Sequence, residues 1–85
     1  MPHYFFHARN HSGAYDDEDG LECSGPDAAR AAAMAGIRSI ICDEASRGFI
    51  DLRGHLEVLD EAGERVLLLA YGEAVEVILA DDPRS

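Results

Sequence analysis

The stretch SGPDAARAAAMAGIRSIICDEASR, residues 24–47, is the only long segment of the sequence with a helical pattern. Its first half is rich in alanine, the residue with the highest intrinsic helix propensity. Apolar side chains recur at the spacing of a single helix face, at Ala33, Ile37, Ile40, Ile41 and Ala45. Gly48 follows as a natural stop. We therefore predict one long helix that buries this stripe of side chains.

The start of the helix carries several N-terminal signals. Either Ser24 or Gly25 can act as the cap, and Pro26 suits the first turn. Asp27 places a negative charge where the helix dipole favours it. The spacing of Ser24 and Asp27 also fits a capping box.

Two strands are predicted before the helix. Residues 2–9 alternate between two faces, with Tyr4, Phe6 and Ala8 on one and His3, Phe5, His7 and Arg9 on the other. Residues 10–13 are rich in turn formers, and residues 14–17 can return as a short second strand. Residues 16–20 then form an acidic turn.

Two more strands are predicted after the helix. Residues 55–60 and 65–71 flank a hairpin turn at residues 61–64. The second of these strands is apolar on both faces, which favours a central position or a covered second face. In residues 73–79 the pattern fits a strand or a helical turn, and we favour a short helix after Gly72.

These elements predict an α+β fold: a small antiparallel sheet of about four strands, in the order β-β-α-β-β, packed on one long helix. A short C-terminal helix is an additional expectation. The 85 residues leave room for a single domain over residues 1–85. We expect Phe49, Ile50 and Leu52 to form an apolar linker tucked under the end of the helix.

The charge balance narrows the classes of partner. Seven arginines and no lysine stand against 17 acidic residues, which gives a net charge of −10. This disfavours nucleic acids and anionic membranes, which are bound through positive charge. A basic protein or a cation is compatible with it. No signal peptide and no apolar run near 18 residues is found, so we expect a cytoplasmic protein without a membrane segment.

Several motifs recur in a fixed order along the chain. A PxYFFHxR opening (residues 2–9) precedes an acidic DExG turn (17–20), an Ala-Ala-Arg start to the helix (28–30) and an LEVxDxxG hairpin (56–63). In this order the motifs resemble a family of short bacterial proteins of unknown function, from residue 2 to about residue 76. The resemblance implies a strand-strand-helix-strand-strand plan and implies no activity.

Three histidines form the first candidate metal site. His3, His7 and His55 share the wetter face of the predicted sheet, with Arg9 and Glu57 beside them. Imidazole and carboxylate groups of this kind can bind zinc or another divalent metal. The alternative interpretation is that they are ordinary solvent-side strand residues, and we favour it. No cofactor is predicted.

Catalytic signatures are missing from the sequence. The serines lie in no GxSxG motif, and the two cysteines, Cys23 and Cys42, have no local motif and are expected to be reduced. The absence of lysine excludes Schiff-base and Walker-type lysine chemistry. An EF-hand loop has glycine at its sixth position and an acidic ligand at its first. With Gly20 as the sixth residue the first would be Tyr15, so the acidic turn does not match an EF-hand loop. We expect that the protein is not an enzyme.

The leading functional hypothesis is an interaction domain that forms a homodimer or binds a protein partner. One helix covers one face of a sheet and leaves apolar side chains on the other. The predicted interface consists of Phe5, His7, Leu59, Leu67, Leu69 and Tyr71. Two alternatives remain open: a divalent-metal-binding protein that uses the three histidines, and an antitoxin-like acidic partner of a basic protein.

Overall fold

The computed structural model describes residues 1–81, which form one helix and five strands. The element order is β1 (His3–Asn10), β2 (Gly13–Tyr15), β3 (Leu21–Glu22), α1 (Pro26–Ser46), β4 (His55–Leu59) and β5 (Arg65–Ala70). The predicted α+β fold is confirmed. The additional strand, β3, is only two residues long and was not predicted, because two residues are too few for an alternating pattern.

The sheet is antiparallel and its main path has the strand order β2-β1-β4-β5, while β3 pairs with the first residues of β1. The pairing of β1 with β4 aligns Phe6 with Val58 and Ala8 with Leu56. Cross-strand partners lie on the same face, so these four side chains point together towards α1. The core between helix and sheet contains Tyr4, Ala29, Ala33, Met34, Ile37, Ile41, Leu56, Val58, Leu69 and Tyr71.

Helix α1 buries the predicted stripe along most of its length. Ala33, Ile37 and Ile41 are buried and Ile40 packs at the margin of the core, whereas Ala45 is exposed. At the other end, one of the two candidate caps, Gly25, is confirmed, and the other, Ser24, is not. Gly25 is the N-cap, Pro26 opens the helix, and no side chain bonds the first-turn amides.

The end of α1 agrees with the predicted stop. Gly48 has φ +98°, a left-handed conformation that suits glycine, and its N–H donates to the Ala45 carbonyl at 3.0 Å. The following linker differs from the prediction. Leu52 packs against the core, but Phe49 and Ile50 are exposed. The Phe49 ring instead contacts the ring of His11 and lies under the guanidinium of Arg47.

Of the two alternatives predicted for the last strand, the central position is wrong, because β5 lies at the edge of the sheet beside β4. Val58 aligns with Leu67 and Leu56 aligns with Leu69, so Leu67 and Leu69 face the helix. The opposite face of β5 carries Leu68, which is exposed. The apolar composition of both faces of β5 therefore reflects one buried row and one solvent-facing row.

The short helix predicted over residues 73–79 is not found. A 3₁₀ turn, Tyr71–Glu73, follows β5, and residues 76–81 have no regular structure. This segment runs on the helix side of the sheet, because Arg38 Nε donates to the Ala74 carbonyl at 2.7 Å and Val75 packs against the core. Over residues 1–81, no helix has both the length and the apolar character needed to span a membrane.

Candidate functional site

The face of the sheet opposite α1 is the first candidate surface, and we call it the open face. Cross-strand alignment places Phe5 beside Leu59 and His7 beside Glu57, with Leu68 next to Glu57 on β5. Phe5 and Leu59 are half-buried, while Leu68 is 50% exposed. The open face therefore combines an apolar patch, formed by Phe5, Leu59 and Leu68, with a surround of ionisable side chains.

Half of the predicted interface residues lie on the open face, namely Phe5, His7 and Leu59. The other three do not: Leu69 and Tyr71 are buried in the core, and Leu67 packs against it. The physical reason is the phase of β5, which turns Leu67 and Leu69 towards α1, and Tyr71 follows in the buried 3₁₀ turn. The placement of Leu67, Leu69 and Tyr71 at a surface is therefore corrected, and Leu68 takes their place.

The three histidines of the candidate metal site share the open face, but other groups hold two of their rings. His3 Nε2 lies 2.7 Å from the Asp19 carbonyl oxygen. His7 Nδ1 lies 3.3 Å from the Asp17 N–H nitrogen and 3.2 Å from Asp16 Oδ1. Within residues 1–81, no group of three or more His, Cys, Asp and Glu side chains is arranged to hold a metal ion.

The acidic turn is organised by the carboxylate of Asp17. Its carboxylate accepts the N–H groups of Gly20 at 3.0 Å, Phe6 at 3.2 Å and Asp19 at 3.2 Å. Partial burial alone would raise the pKa of Asp17. The three N–H donors and nearby His7 outweigh it and hold the pKa below its ordinary value of 3.8. Asp17 therefore fastens the turn to the edge of β1.

A second candidate lies at the C-terminal end of α1, where Glu44 is only 2% exposed. Its Oε1 accepts the N–H of Asp51 at 3.1 Å, and its backbone carbonyl accepts the N–H groups of Arg47 and Phe49. His11 Nδ1 lies between two carboxylates, 3.3 Å from Asp51 Oδ2 and 3.7 Å from Glu44 Oε2. We call this group of His11, Glu44 and Asp51 the corner cluster.

Two neighbours complete the surroundings of the corner cluster. Arg53 Nε bonds both carboxylate oxygens of Asp51, at 2.9 and 3.1 Å, and this pairing holds the pKa of Asp51 well below its usual range. Tyr71 is fully buried, and its hydroxyl makes no well-formed hydrogen bond with any described residue. Burial and the nearby Glu44 raise the pKa of Tyr71, against a lowering contribution from the Asn10 side chain.

A pocket of about 220 Å³ opens beside the corner cluster, between α1 and the β1–β2 hairpin. We call it the hairpin pocket. Its lining comprises Ala8, Asn10, Ser12, Tyr15, Ile40, Glu44 and Arg47. Glu44 is the deepest of its charged side chains, because Arg47 is largely exposed and pairs with Asp43 at 3.1 Å. The pocket therefore offers a buried carboxylate in a lining of polar, apolar and aromatic side chains.

Comparison with known protein families gives a match over residues 3–72, to the family described as "Domain of unknown function (DUF6894)". The chain belongs to this family. The resemblance to a family of short uncharacterised proteins is thereby confirmed, and DUF6894 brings no activity with it. No curated protein and no solved structure matches the chain significantly. The DUF6894 match ends at residue 72, so it contains all five strands and α1.

The corner cluster of this DUF6894 domain was missed by sequence reasoning. Glutamate is among the residues least often buried, and Glu44 falls between Ile41 and Ala45 in a segment that also carries Asp43. One signal was available: Glu44 lies three residues after Ile41 and seven after Ile37, which is the spacing of the buried stripe. Glu44 is buried by contacts with Asp51 and with the β1–β2 hairpin, and the pattern of residues within the helix gives no information on these contacts.

Proposed function

We propose that this domain is a self-associating interaction module that forms a symmetric dimer through its open face. The observation that carries the proposal is the apolar patch of Phe5, Leu59 and Leu68, with Leu68 50% exposed in the middle of its strand. Apolar surface of this kind marks an interaction site more often than chance exposure does. A two-fold dimer is the commonest way for a soluble protein to cover such a surface.

Within residues 1–81, the helix and the segment after β5 lie away from the patch. Helix α1 occupies the opposite side of the sheet, and the segment after β5 turns to that same side through the bond from Arg38 to Ala74. The free edge of β5 is a weaker place for contact, because Glu73 Oε2 already accepts the Ala70 N–H at 2.7 Å. We therefore place the contact on the face of the sheet and not on its edge.

The charges around the patch suit contact between two copies. Glu57 lies next to the patch and approaches Arg65 at 3.6 Å, and His7 approaches Asp16 at 3.2 Å. Both signs of charge are thus present near the same apolar centre. A two-fold arrangement can bring groups of opposite sign together, which favours correct register more than it adds affinity.

The decisive experiment compares Leu68→Asp with Leu21→Asp by sedimentation over a concentration series. Both leucines are 50% exposed, but Leu21 aligns with Tyr4 and so faces the helix side. We expect the parent to be a dimer and Leu68→Asp to dissociate at least about 30-fold more readily, as for an interface hot spot worth about 2 kcal/mol. Leu21→Asp should dimerise like the parent.

Two results would contradict the proposal. A parent that stays monomeric at the highest concentration would remove self-association and leave a heterologous partner, for which the net charge of −10 favours a basic protein. Equal dissociation of Leu68→Asp and Leu21→Asp would show that copies meet elsewhere than on the open face.

A further inference from the structure

The hairpin pocket contains a feature that the open face does not explain. Glu44 is 2% exposed, yet only one of its two carboxylate oxygens, Oε1, has a hydrogen bond within the described residues. Oε2 lies 3.7 Å from His11 Nδ1, and that ring nitrogen is closer to Asp51 Oδ2, at 3.3 Å. A buried carboxylate that is incompletely paired is costly in free energy, so a cation at this position would be favoured.

We propose that the hairpin pocket binds a cationic nitrogen group, a guanidinium or an ammonium, carried on a short apolar stem. Glu44 Oε2 would accept its hydrogen bonds, and the other pocket walls would contact the stem. Charge-assisted hydrogen bonds to a carboxylate are about twice as strong as neutral ones, and burial strengthens them further. The site is separate from the open face, and the proposal does not depend on self-association.

The walls of the pocket fit a cation with an apolar stem better than a hydrated metal ion. Ala8 and Ile40 supply apolar contacts, and the ring of Tyr15 is available for a cation–π contact. The Arg47 guanidinium does not fill the place of the ligand, because it pairs with Asp43 and stacks over Phe49. Of the two charged wall residues, Glu44 is thus the less closely paired, because Arg47 lies 3.1 Å from Asp43 and Glu44 Oε2 lies 3.7 Å from His11 Nδ1.

The size of the pocket limits the ligand. Its volume of about 220 Å³ is below the roughly 300–1,000 Å³ of pockets for drug-sized molecules. It therefore suits a single head group and a few carbon atoms. The net charge of −10 would raise the local concentration of such cations. The group could belong to a free amine or guanidine, or to an arginine or lysine side chain of another protein.

The test is an NMR titration of the isotope-labelled full chain with methylguanidinium and with N-methylurea, a neutral molecule of the same shape. We expect saturable shift changes at the amides of Ser12 and Glu44 with methylguanidinium and none with N-methylurea. Agmatine and capped N-acetyl-arginine-N-methylamide then separate the sources. Tighter binding of agmatine than of the capped arginine indicates that the ligand is a free small molecule. Equal binding of the two indicates that it is a protein side chain.

Matched variants assign the effect to the pocket. Glu44→Gln keeps the shape and the acceptor for the Asp51 N–H, and should weaken methylguanidinium binding by at least about tenfold through loss of a charged hydrogen bond. Glu57→Gln removes the same charge from the open face and should bind like the parent. Tyr15→Ala, at an exposed strand residue, should bind about two- to fivefold more weakly through loss of the cation–π contact.

Three outcomes would overturn the proposal: no saturable shift with any cation, equal binding of N-methylurea, or equal binding by Glu44→Gln and the parent. Should Glu44→Gln fail to fold, the comparison of N-methylurea with methylguanidinium and the Tyr15→Ala variant still decide. The oligomeric state is measured separately, so a negative titration result does not bear on the dimer proposal, which the sedimentation experiment tests.

Discussion

At the scale of single residues, Gly54 shows how closely the end of the sheet is packed. A Cβ atom at this position would lie 2.6 Å from the Arg9 carbonyl oxygen and 2.8 Å from the ring of Tyr71. The first neighbour is a backbone atom and the second belongs to a fully buried ring, so neither can move away easily. We expect Gly54→Ala to lower the free energy of unfolding by about 1–3 kcal/mol through overpacking, as measured by denaturant unfolding.

The matched control is Gly36→Ala in the middle of α1. A Cβ atom there would have no described heavy atom within 4 Å outside the helix backbone and its chain neighbours. Alanine is a better helix former than glycine, so this change should raise the free energy of unfolding by roughly 0.5–1 kcal/mol. Opposite signs for the two glycine variants are expected. Equal effects would mean that the close approach at Gly54 is wrong.

Asp17 should make stability depend on pH in the acid range. Its pKa is lowered below 3.8 in the folded chain, so the folded state favours the charged form. The stabilisation is therefore present above the unfolded value and is lost as pH falls through the lower folded value. Asp17→Asn should be less stable than the parent at neutral pH and should show a shallower loss of stability below about pH 4.

The control for Asp17 is Glu18→Gln, which removes a neighbouring exposed charge. It should retain the parent's acid profile, measured as thermal unfolding temperature against pH. An Asp17→Asn profile that runs parallel to the parent's would mean that the hydrogen bonds to Phe6, Asp19 and Gly20 do not control the pKa of Asp17.

At the scale of elements, the burial of α1 is concentrated in its centre. Ile37 is fully buried and Ile41 nearly so. Replacing either by alanine should cost about 2–4 kcal/mol, by lost transfer free energy and by the cavity left behind. Arg30→Ala, at an exposed helix position, should change stability far less. Equal melting temperatures for Ile41→Ala and the parent would contradict the packing of α1 on β4 and β5.

The elements were largely predictable from the sequence, and their surroundings were not. The alternation of residues 3–8 and 55–59 placed Tyr4, Phe6, Leu56 and Val58 on the helix side, because each of these strands has one apolar and one mixed face. In β5 both faces are apolar, so the sequence contains no information on which row is buried. That ambiguity misplaced Leu67 and Leu69.

The same holds for the candidate sites: positions on a strand face were predictable from the sequence, and contacts between distant segments were not. Phe5, His7 and Leu59 were placed on the open face by alternation alone, and the structure puts them there. The corner cluster was not predictable, because it joins the β1–β2 turn, α1 and the linker after α1 across 40 residues, from His11 to Asp51. Pairs with such separation depend on tertiary packing, which a local pattern does not record.

At the scale of the whole molecule, self-association should depend on pH through His55. On the open face, His7 lies beside Asp16 and Glu57, which would compensate a positive charge on its ring. His55 instead aligns with Arg9, so a charged His55 would add to positive charge already present. We expect the proposed dimer to loosen between neutral pH and about pH 5, the range in which an ordinary histidine side chain gains its proton.

Sedimentation at pH 7.5 and at pH 5 would measure this effect. His55→Gln should remain dimeric at both values, and His7→Gln should loosen in acid as the parent does. A dimer of unchanged affinity in the parent, or loss of the pH effect in His7→Gln alone, would show that His55 is not the group responsible.

The corner where α1 ends has a consequence for local opening of the chain. Glu44 binds three amides at once: its carbonyl accepts those of Arg47 and Phe49, and its side chain accepts that of Asp51. Hydrogen exchange with solvent at each of the three amides therefore requires a hydrogen bond to Glu44 to break. They should exchange at similar rates, as one cooperative unit, although they lie in a connection between two elements and not within either.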